Sequence, residues 1–359
     1  RGGPGLVRGL AVQRPREPTL RSEVSLTPSD VAVVVPVGGA APAWTRAARS
    51  LAGLDPAPGA IVTVIDGPDD ALAAVAAEIG ARVVVLEDRG GPARARNRGA
   101  EAAGQDLLLF VDADIEVPPE LVARVVEIFN AHPELGALMG SYDDAPGDPG
   151  FLSQYRNLLH HFVHQNGREV ASTFWAGCGA VRRRAFLEVG GFDESWVDRI
   201  EDIELGARLL RAGHSIRLAR DLQVKHLKRW RLFDMLATDL WRRAVPWTEL
   251  MLREGQMADD LNVRVRDRVS VATAFVVLLA LPLAGAWPHA LGVAAGATAL
   301  MVALNAPLFG FFRRQRGFLF ALGVVPLYWV FLLVCGLGFA LGVLRHLLGR
   351  MRREGPKHE

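Results

Sequence analysis

The stretch Leu107-Leu108-Leu109-Phe110-Val111-Asp112-Ala113-Asp114 decides how the rest of this sequence is interpreted. A run of apolar residues ends abruptly in two carboxylates, a pattern typical of a strand that is buried on both faces and ends in a cleft. Residues i and i+2 of an extended chain point to the same side, so Asp112 and Asp114 can address one hard cation. A divalent ion held there can neutralise a diphosphate. The alternative is that both acids merely cap a helix suggested at residues 117–121.

The composition indicates a soluble domain followed by membrane segments. The chain has 359 residues, of which 50% are hydrophobic. In residues 269–312 His289 is the only side chain that can be charged, and residues 317–344 have none, so each run is longer than a soluble core helix needs. The net charge of +2 comes without a basic stripe, which argues against a nucleic-acid partner. Two cysteines, Cys178 and Cys335, are too few for a cysteine metal site.

The N-terminal part alternates between predicted strands and helices. Strands are expected at residues 31–37, 60–65, 82–86 and 107–111, and helices at 42–54, 71–79, 92–103 and 122–129. Such alternation produces right-handed crossovers and a mostly parallel sheet covered on both faces, so the predicted fold class is α/β. Ligands of these sheets bind at the carboxyl ends of the strands, where Asp66 and Asp112 are placed.

Two features of this region suit a nucleotide ligand. Three arginines occur at the start of the helix at 92–103, where free backbone N–H groups and guanidinium groups both favour an anion: Arg94, Arg96 and Arg98. A solvated basic helix face is the alternative. Asp66 can accept hydrogen bonds from a base or ribose, or can simply be the turn residue before Gly67.

The following region carries small residues around aromatics, and then a pair of acids. Residues 173–181, which include Trp175 and Gly177, suit a strand or loop where the backbone approaches a ligand closely. Glu201 and Asp202 lie in the first turn of a helix predicted from residue 200 to residue 212. Acids in a first turn are also common partners of the helix dipole, so their function depends on their setting.

Histidines supply two sets of candidate metal ligands. His226 ends a strand candidate at residues 224–226, where an imidazole can complete a metal shell made of Asp114 and a diphosphate. His160 and His164 share a helical face, but no carboxylate or cysteine lies at ligand spacing. A wet cleft wall or a core position is therefore the better interpretation of that second set.

Together these motifs resemble the family-2 glycosyltransferases, which use the GT-A nucleotide-sugar fold. The resemblance covers residues 31–230 and rests on motifs in a characteristic order: the Val-rich strand ending Pro36-Val37, Asp66, Ala95-Arg96-Asn97-Arg98-Gly99, Asp112-Ala113-Asp114, Gly190-Gly191-Phe192-Asp193-Glu194 and Glu201-Asp202. Processive synthases of this family carry Q-x-x-R-W, whereas this chain has His226-Leu227-Lys228-Arg229-Trp230 at that spacing. That departure favours addition of one sugar per encounter.

The resemblance implies roles for individual residues. Asp202 would be the general base, and Asp66 would contact the nucleotide base. The cofactor Mg²⁺ or Mn²⁺ would be held by Asp112, Asp114 and His226. Further contacts to the nucleotide-sugar would come from Pro36, Arg96, Asn97, Asp112 and Ala113. The acceptor side would include Trp175, Gly177, Glu201, Arg229 and Trp230. The reaction would invert the configuration at the anomeric carbon.

The predicted chain has five parts. They are a disordered or truncated leader at residues 1–29, the glycosyltransferase domain at 30–228, amphipathic interfacial helices at 229–268, a transmembrane region of about three spans at 269–348, and a basic tail at 349–359. Aromatic residues and Arg alternate over 229–253 as in a helix of the headgroup layer, although an ordinary packing helix shows the same pattern.

The charges between the apolar runs predict on which side of the membrane the catalytic domain lies. A helical hairpin is expected over 269–312 with its turn at Pro288-His289. The arginines that follow mark the next loop, and with it the catalytic domain, as cytoplasmic: Arg313, Arg314 and Arg316. A third span would place the basic tail on the opposite side, against the same rule, unless Pro326 and the later glycines make this segment re-entrant.

The leading hypothesis is an inverting glycosyltransferase anchored in the cell membrane by several spans. Its partners would be a nucleotide-diphosphate sugar as donor, a lipid-linked or membrane-proximal acceptor with a reactive hydroxyl, and membrane lipids. Two alternatives remain open: a polyprenyl-phosphate glycosyltransferase, and a catalytically silent binding or transport subunit whose hairpin is the functional part. Intact acids at every expected strand end argue against a silent subunit.

Overall fold

The structure is a computed structural model that describes residues 25–39, 41–197, 199–255 and 264–354. The predicted leader lies outside the described residues up to residue 24, and so does the tail from residue 355 onward. The strands are β1 (Val31–Val37), β2 (Ala60–Ile65), β3 (Arg82–Val85), β4 (Leu107–Val111), β5 (Ile115–Glu116), β6 (Leu135–Tyr142), β7 (Cys178–Arg182) and β8 (Ser215–His226). They form one sheet in the order β3-β2-β1-β4-β7-β6-β8-β5.

The helices cover both faces of this sheet and then form a C-terminal bundle. They are α1 (Ala41–Ala52), α2 (Asp70–Glu78), α3 (Gly91–Ala102), α4 (Leu121–Ala131), α5 (Phe151–Gln165), α6 (Arg183–Glu188), α7 (Glu201–Arg211), α8 (Leu232–Ala237), α9 (Val245–Glu254), α10 (Val265–Leu283), α11 (His289–Leu304), α12 (Ala306–Arg316) and α13 (Phe318–Glu354). A π-helical segment, Thr238–Ala244, joins α8 to α9.

Burial on both faces explains the apolar runs of the central strands. In β4, Leu107 and Leu109 pack into the hydrophobic core on one face, while Leu108 and Phe110 pack into the core on the other face. Strands β3, β2, β1 and β4 are parallel, as are β6 and β8, while β7 is antiparallel to β4 and β6. The predicted α/β class with a mostly parallel sheet is confirmed.

The strand order places a crevice at the carboxyl ends of β1 and β4. Strand β2 lies on one side of β1 and β4 lies on the other, which is the switch point where ligands bind in open parallel sheets. The pairing of β1 with β4 extends from Val31 to Val34. Pro36, near the end of β1, therefore lies beyond the paired part, on the side where Asp112 follows β4.

The C-terminal helices pack against the sheet domain and share a hydrophobic cluster with it. Tyr155 and Leu158 of α5 belong to the same cluster as Phe312 of α12 and Tyr328 of α13. Trp230, which follows β8, is also buried in this cluster. The boundary predicted at residues 228 and 229 therefore runs through a packed interface.

The apolar run at residues 290–312 differs from the expected continuous span. The structure breaks it at Asn305 into α11 and α12, which are bent by 68°. Asn305 is buried, donates to the Ser270 hydroxyl and accepts from the Tyr328 hydroxyl, so its polar group is satisfied by neighbouring helices. In the described part of the chain one helix, Phe318–Leu348, is long and apolar enough to cross a membrane, and the bent pair would be a second if counted as one span.

The segment predicted to be interfacial folds as α8, the π-helical segment and α9. Met235 and Leu250 are buried, whereas Phe233 and Trp241 are exposed. Arg231 and Arg242, next to the exposed aromatics, are exposed as well. This pattern fits a helix that packs on one side and meets headgroups on the other, and the membrane contact itself stays a prediction.

A glycine in α3 provides a test of the helix–sheet packing. A Cβ at Gly99 would lie 2.3 Å from Val34 Cγ1 and 3.2 Å from Val64 Cγ2. We predict that Gly99→Ala lowers the free energy of unfolding by about 1–3 kcal/mol, the usual cost of overpacking a core. Gly104→Ala, where a Cβ meets nothing within 4 Å, should stay within about 0.5 kcal/mol. Chemical denaturation of the purified chain measures both, and equal losses would contradict the packing described.

Candidate active site

The pairing of β5 with β8 brings His226 to the D-x-D stretch. Ile115, directly after Asp114, pairs with His226 in antiparallel register, and the Leu227 N–H donates to the Asp114 carbonyl at 2.8 Å. As a result, His226 Nε2 lies 3.4 Å from Asp114 Oδ2. The sequence predicted this pair, although it showed no signal for the two-residue strand that creates it.

A hydrogen bond fixes the orientation of the His226 ring. His226 Nδ1 lies 2.7 Å from Asn157 Oδ1 on α5. Because an amide oxygen can only accept, Nδ1 donates to it, and Nε2 is the ring nitrogen that faces Asp114. The Tyr142 ring stacks on His226 with centroids 4.5 Å apart. Neither Asn157 nor Tyr142 was predicted, since nothing in the local sequence links them to His226.

The Asp114 carboxylate is partly buried beside cationic groups. Burial alone would raise its pKa, yet His226 and Lys228 hold the pKa of Asp114 below its usual value. A carboxylate oxygen and an imidazole nitrogen form a donor set that fits Mg²⁺ or, better, Mn²⁺, provided that further oxygens come from a diphosphate and water. Within the described ranges no group of three or more His, Cys, Asp or Glu converges as a metal site.

Asp112, which is predicted to share the metal with Asp114, also contacts an arginine. Its Oδ1 lies 2.7 Å from Arg96 Nη2, so this carboxylate is turned toward a guanidinium group. The same Arg96 places Nη1 2.8 Å from Glu201 Oε1, and its side chain is only 5% exposed. Burial would lower the pKa of Arg96, but Asp112 and Glu201 raise it, so the group stays charged.

The arginines expected to bind an anion are therefore engaged by carboxylates. Arg94 pairs with Asp88 and Arg98 pairs with Glu101, both at the surface. Arg96 joins the end of β4 to the start of α7. Its contact with the nucleotide-sugar stays a prediction.

Asn97 holds a turn next to the cleft. Its Nδ2 donates to the Phe192 carbonyl at 2.9 Å and to Glu194 Oε1 at 3.0 Å, and its Oδ1 accepts from the Phe192 N–H at 2.9 Å. These bonds fix the turn at residues 190–194, where Gly190 and Gly191 have positive φ. Asn97 thus holds this turn, and its contact with the nucleotide-sugar stays a prediction.

Glu201 and Asp202 face different partners, as their positions on successive residues of a helix predict. Burial, opposed by Arg96 and reinforced by Asp202, raises the pKa of Glu201 to about 7. Asp202 accepts from the Ala176 N–H at 3.3 Å and from the Ile203 N–H at 2.8 Å. Burial also raises the pKa of Asp202, opposed mainly by Arg96. A carboxylate with a raised pKa is a stronger base.

Residues 176–177 connect Asp202 with the D-x-D stretch by hydrogen bonds. Ala176, which donates to Asp202, precedes Gly177, whose carbonyl accepts from the Asp112 N–H at 3.1 Å. A Cβ at Gly177 would lie 2.4 Å from the Trp175 ring, so the backbone passes directly beside that indole. Trp175 packs edge-on against Tyr142 at 4.7 Å, which makes residues 175–177 a wall of the cleft.

The residues predicted to contact the nucleotide lie around the β1–β4 crevice. Asp66 follows β2 and accepts from the N–H groups of Gly90 and Gly91 at 2.7 and 3.0 Å. Both carboxylate oxygens thus accept hydrogen bonds from the loop before α3. Each oxygen keeps a second lone pair that can accept from a nucleotide base. Pro36, Ala113 and Asp66 are all half-buried.

The remaining predicted residues lie toward the C-terminal helices. Arg229 is exposed, whereas Trp230 is buried and its backbone N–H donates to the Ser153 hydroxyl at 2.8 Å. His160 accepts from Arg243 Nη1 at 2.7 Å. Burial, together with the nearby Arg156 and Arg243, lowers the pKa of His160 well below its ordinary value.

Comparisons with known proteins agree with this geometry. Residues 32–190 match the family model described as Glycosyl transferase family 2. Pre-mycofactocin glycosyltransferases from two strains of Mycobacterium tuberculosis are 28% identical over 236 residues, which are 63% of this chain and 47% of the relatives. The chain thus spans about half the length of these curated relatives.

Among solved structures, a mannosyltransferase from Pyrobaculum calidifontis in complex with GDP-Man and Mn2+ has a similar fold. It superposes with a TM-score of 0.56 at 18% identity, and the alignment covers 87% of each chain. This likeness supports the GT-A type of fold for the chain.

The Arg96 contacts generate a stability prediction. Arg96→Ala should lower the free energy of unfolding by about 3–5 kcal/mol, because it leaves the buried Glu201 and the partly buried Asp112 without their cation. Arg98→Ala, two residues away in a surface pair with Glu101, is the control and should change the free energy of unfolding by less than about 0.5 kcal/mol. Denaturant titration of both variants decides; similar small effects would show that Arg96 does not hold the two carboxylates.

Proposed function

Because residues 32–190 form a family-2 glycosyltransferase domain, we propose that this chain transfers a sugar from a nucleotide-diphosphate sugar to an acceptor hydroxyl at a membrane. The observation that carries this proposal is the placement of Asp202 and the Asp114–His226 pair around one cleft at the carboxyl ends of parallel strands. Arg96 links the two sides of that cleft. The arrangement provides a donor side and an acceptor side.

On the donor side, Asp114 and His226 would hold Mg²⁺ or Mn²⁺. When bound, such an ion supplies positive charge that stabilises the departing nucleoside diphosphate. The Mn2+ in the complex of the similarly folded mannosyltransferase supports this choice. Asp66 would contact the base, and Pro36 and Ala113 would line the nucleotide-sugar. Asp112 would contact the sugar through the carboxylate oxygen that does not face Arg96.

On the acceptor side, Asp202 would take the proton from the attacking hydroxyl. The acceptor oxygen forms a bond to the anomeric carbon while the bond to the diphosphate oxygen breaks, so the configuration inverts. The raised pKa of Asp202 supports this role, and the two backbone N–H groups that it accepts fix its position. Trp175 and Gly177 would form the wall against which the acceptor rests.

Membrane attachment is supported by the surface of the C-terminal helices. Large apolar side chains are exposed on α10, α11 and α13, including Leu279, Leu283, Leu291, Leu319 and Leu322. The basic end of α12 contacts the catalytic domain, since Arg316 donates to Gln154 at 2.8 Å and to the Asp144 carbonyl at 2.9 Å. These contacts support the expectation that the basic loop and the catalytic domain lie on the same, cytoplasmic side.

The first test concerns Asn157, which orients His226 without touching the donor. We predict that Asn157→Ala weakens Mn²⁺ binding by roughly ten- to hundredfold, the usual effect of losing the partner of a metal-bound histidine. Asn130→Ala removes an amide that bonds to Leu26 far from the cleft and should leave Mn²⁺ affinity unchanged. Titration followed by electron paramagnetic resonance measures both affinities. Unaltered affinity in a folded Asn157→Ala variant would remove His226 from the metal site.

The second test concerns Asp202, the proposed general base. Asp202→Asn should preserve donor affinity while lowering the single-turnover rate by roughly a hundredfold to ten-thousandfold, the scale expected for a lost general base. Asp221→Asn, at an exposed pair with Arg124, should leave both quantities unchanged. A near-normal rate in Asp202→Asn would instead favour a phosphate acceptor, which needs no base. Weakened donor binding with a normal single-turnover rate would show that Asp202 helps to bind the donor and is not the general base.

A further inference from the structure

A cavity of about 400 Å³ lies between the catalytic domain and the C-terminal helices. This volume falls within the range of small-molecule sites, about 300–1,000 Å³. Its apolar walls come from α5, α9, α10, α12 and α13, and include Phe162, Trp247, Val271, Leu308 and Phe331. Because α13 is the helix apolar enough to cross a membrane, these walls suit a hydrocarbon chain.

One end of the cavity carries an excess of positive charge. Arg156 and Arg243 both line it, while Asp239 is the carboxylate beside them. Arg156 donates to Asp239, and its buried Nε has no hydrogen-bond partner among the described residues. Two guanidinium groups therefore face one carboxylate in largely apolar surroundings.

Arg243 contributes the second positive charge at this end of the cavity. Its Nη1 donates to His160 Nε2 at 2.7 Å, which requires a neutral imidazole at His160. In the ranges that the structure describes, Arg243 forms no ion pair with a carboxylate. Two cations that share one carboxylate in largely apolar surroundings are costly, so an anionic ligand would be favoured here.

The charged end of the cavity adjoins the cleft. The Tyr142 ring lies parallel to His226 at 4.5 Å and parallel to His160 at 5.8 Å, so one ring connects the metal-side histidine with the cavity-side histidine. The charge of Asp202 also acts on Arg243, which places that guanidinium group near the acceptor side. The π-helical segment that carries Asp239 and Arg243 is a geometry common at functional sites.

We propose that this cavity binds the acceptor, and that the acceptor is an amphiphile with a long hydrocarbon chain, a phosphate group and, attached through that phosphate, the group that carries the reacting hydroxyl. The phosphate lies between Arg156 and Arg243, whose guanidinium groups match its oxygens. The chain lies among α9, α10 and α13. This inference rests on the proposed function, since it names the chemical class of that enzyme's acceptor. Free phosphate lacks the part of the ligand that the apolar walls recognise.

The test compares three probes on the full chain in mild detergent: farnesyl phosphate, farnesol and inorganic phosphate. Farnesyl phosphate should raise the melting temperature at concentrations where the other two do not, because it alone has both groups. Arg243→Gln should weaken farnesyl phosphate binding at least about tenfold, as expected for loss of a hydrogen bond to a charged group. Arg242→Gln, at an exposed neighbouring position, should bind like the parent chain.

Several outcomes would overturn the inference: stabilisation by farnesol equal to that by farnesyl phosphate, an equal response to inorganic phosphate, or equal losses in the two arginine variants. Arg243→Lys, which keeps the charge, should retain more affinity than Arg243→Gln, and this comparison remains decisive if the latter folds poorly. Donor binding is measured on the same samples with nucleotide-sugars. If no donor binds while farnesyl phosphate follows the predicted pattern, the proposed function fails and the ligand class of the cavity stands.

Discussion

The active-site geometry depends on one buried cation. Arg96 bonds to Asp112 at the end of β4 and to Glu201 at the start of α7, two elements that are far apart in the sequence. Without this guanidinium group, two carboxylates would face each other in partly buried surroundings, and their repulsion would separate the two sides of the cleft. With it, Asp202 is held across from the D-x-D stretch, as the role proposed for Asp202 requires.

A second set of contacts connects the cleft with the helices behind it. Asn157 and His160 both belong to α5, and they reach His226 and Arg243 respectively. The Tyr142 ring lies parallel to both histidines. Helix α5 therefore ties the position of the His226 imidazole to the packing of the C-terminal bundle.

The sequence was informative where function follows from local pattern. The buried strand β4, the carboxylates after it and the approach of His226 to Asp114 could be predicted, because apolar runs and strand ends determine them. The role of Arg96 could not, since a basic residue at a helix start does not reveal whether its partner is a phosphate or a distant Glu201. The break at Asn305 had a signal, Asn305-Ala306-Pro307, which the high hydropathy of its surroundings outweighed.

The central claim is that this cleft binds a nucleotide-sugar together with a divalent ion. A thermal-shift screen of nucleotide-sugars, with Mn²⁺ and with excess chelator, tests it most directly, because a ligand that binds the folded state raises the melting temperature according to its affinity. The account predicts that at least one donor stabilises the chain with Mn²⁺, and that His226→Gln loses this effect. Stabilisation that is equal in chelator, or unchanged in His226→Gln, would contradict it.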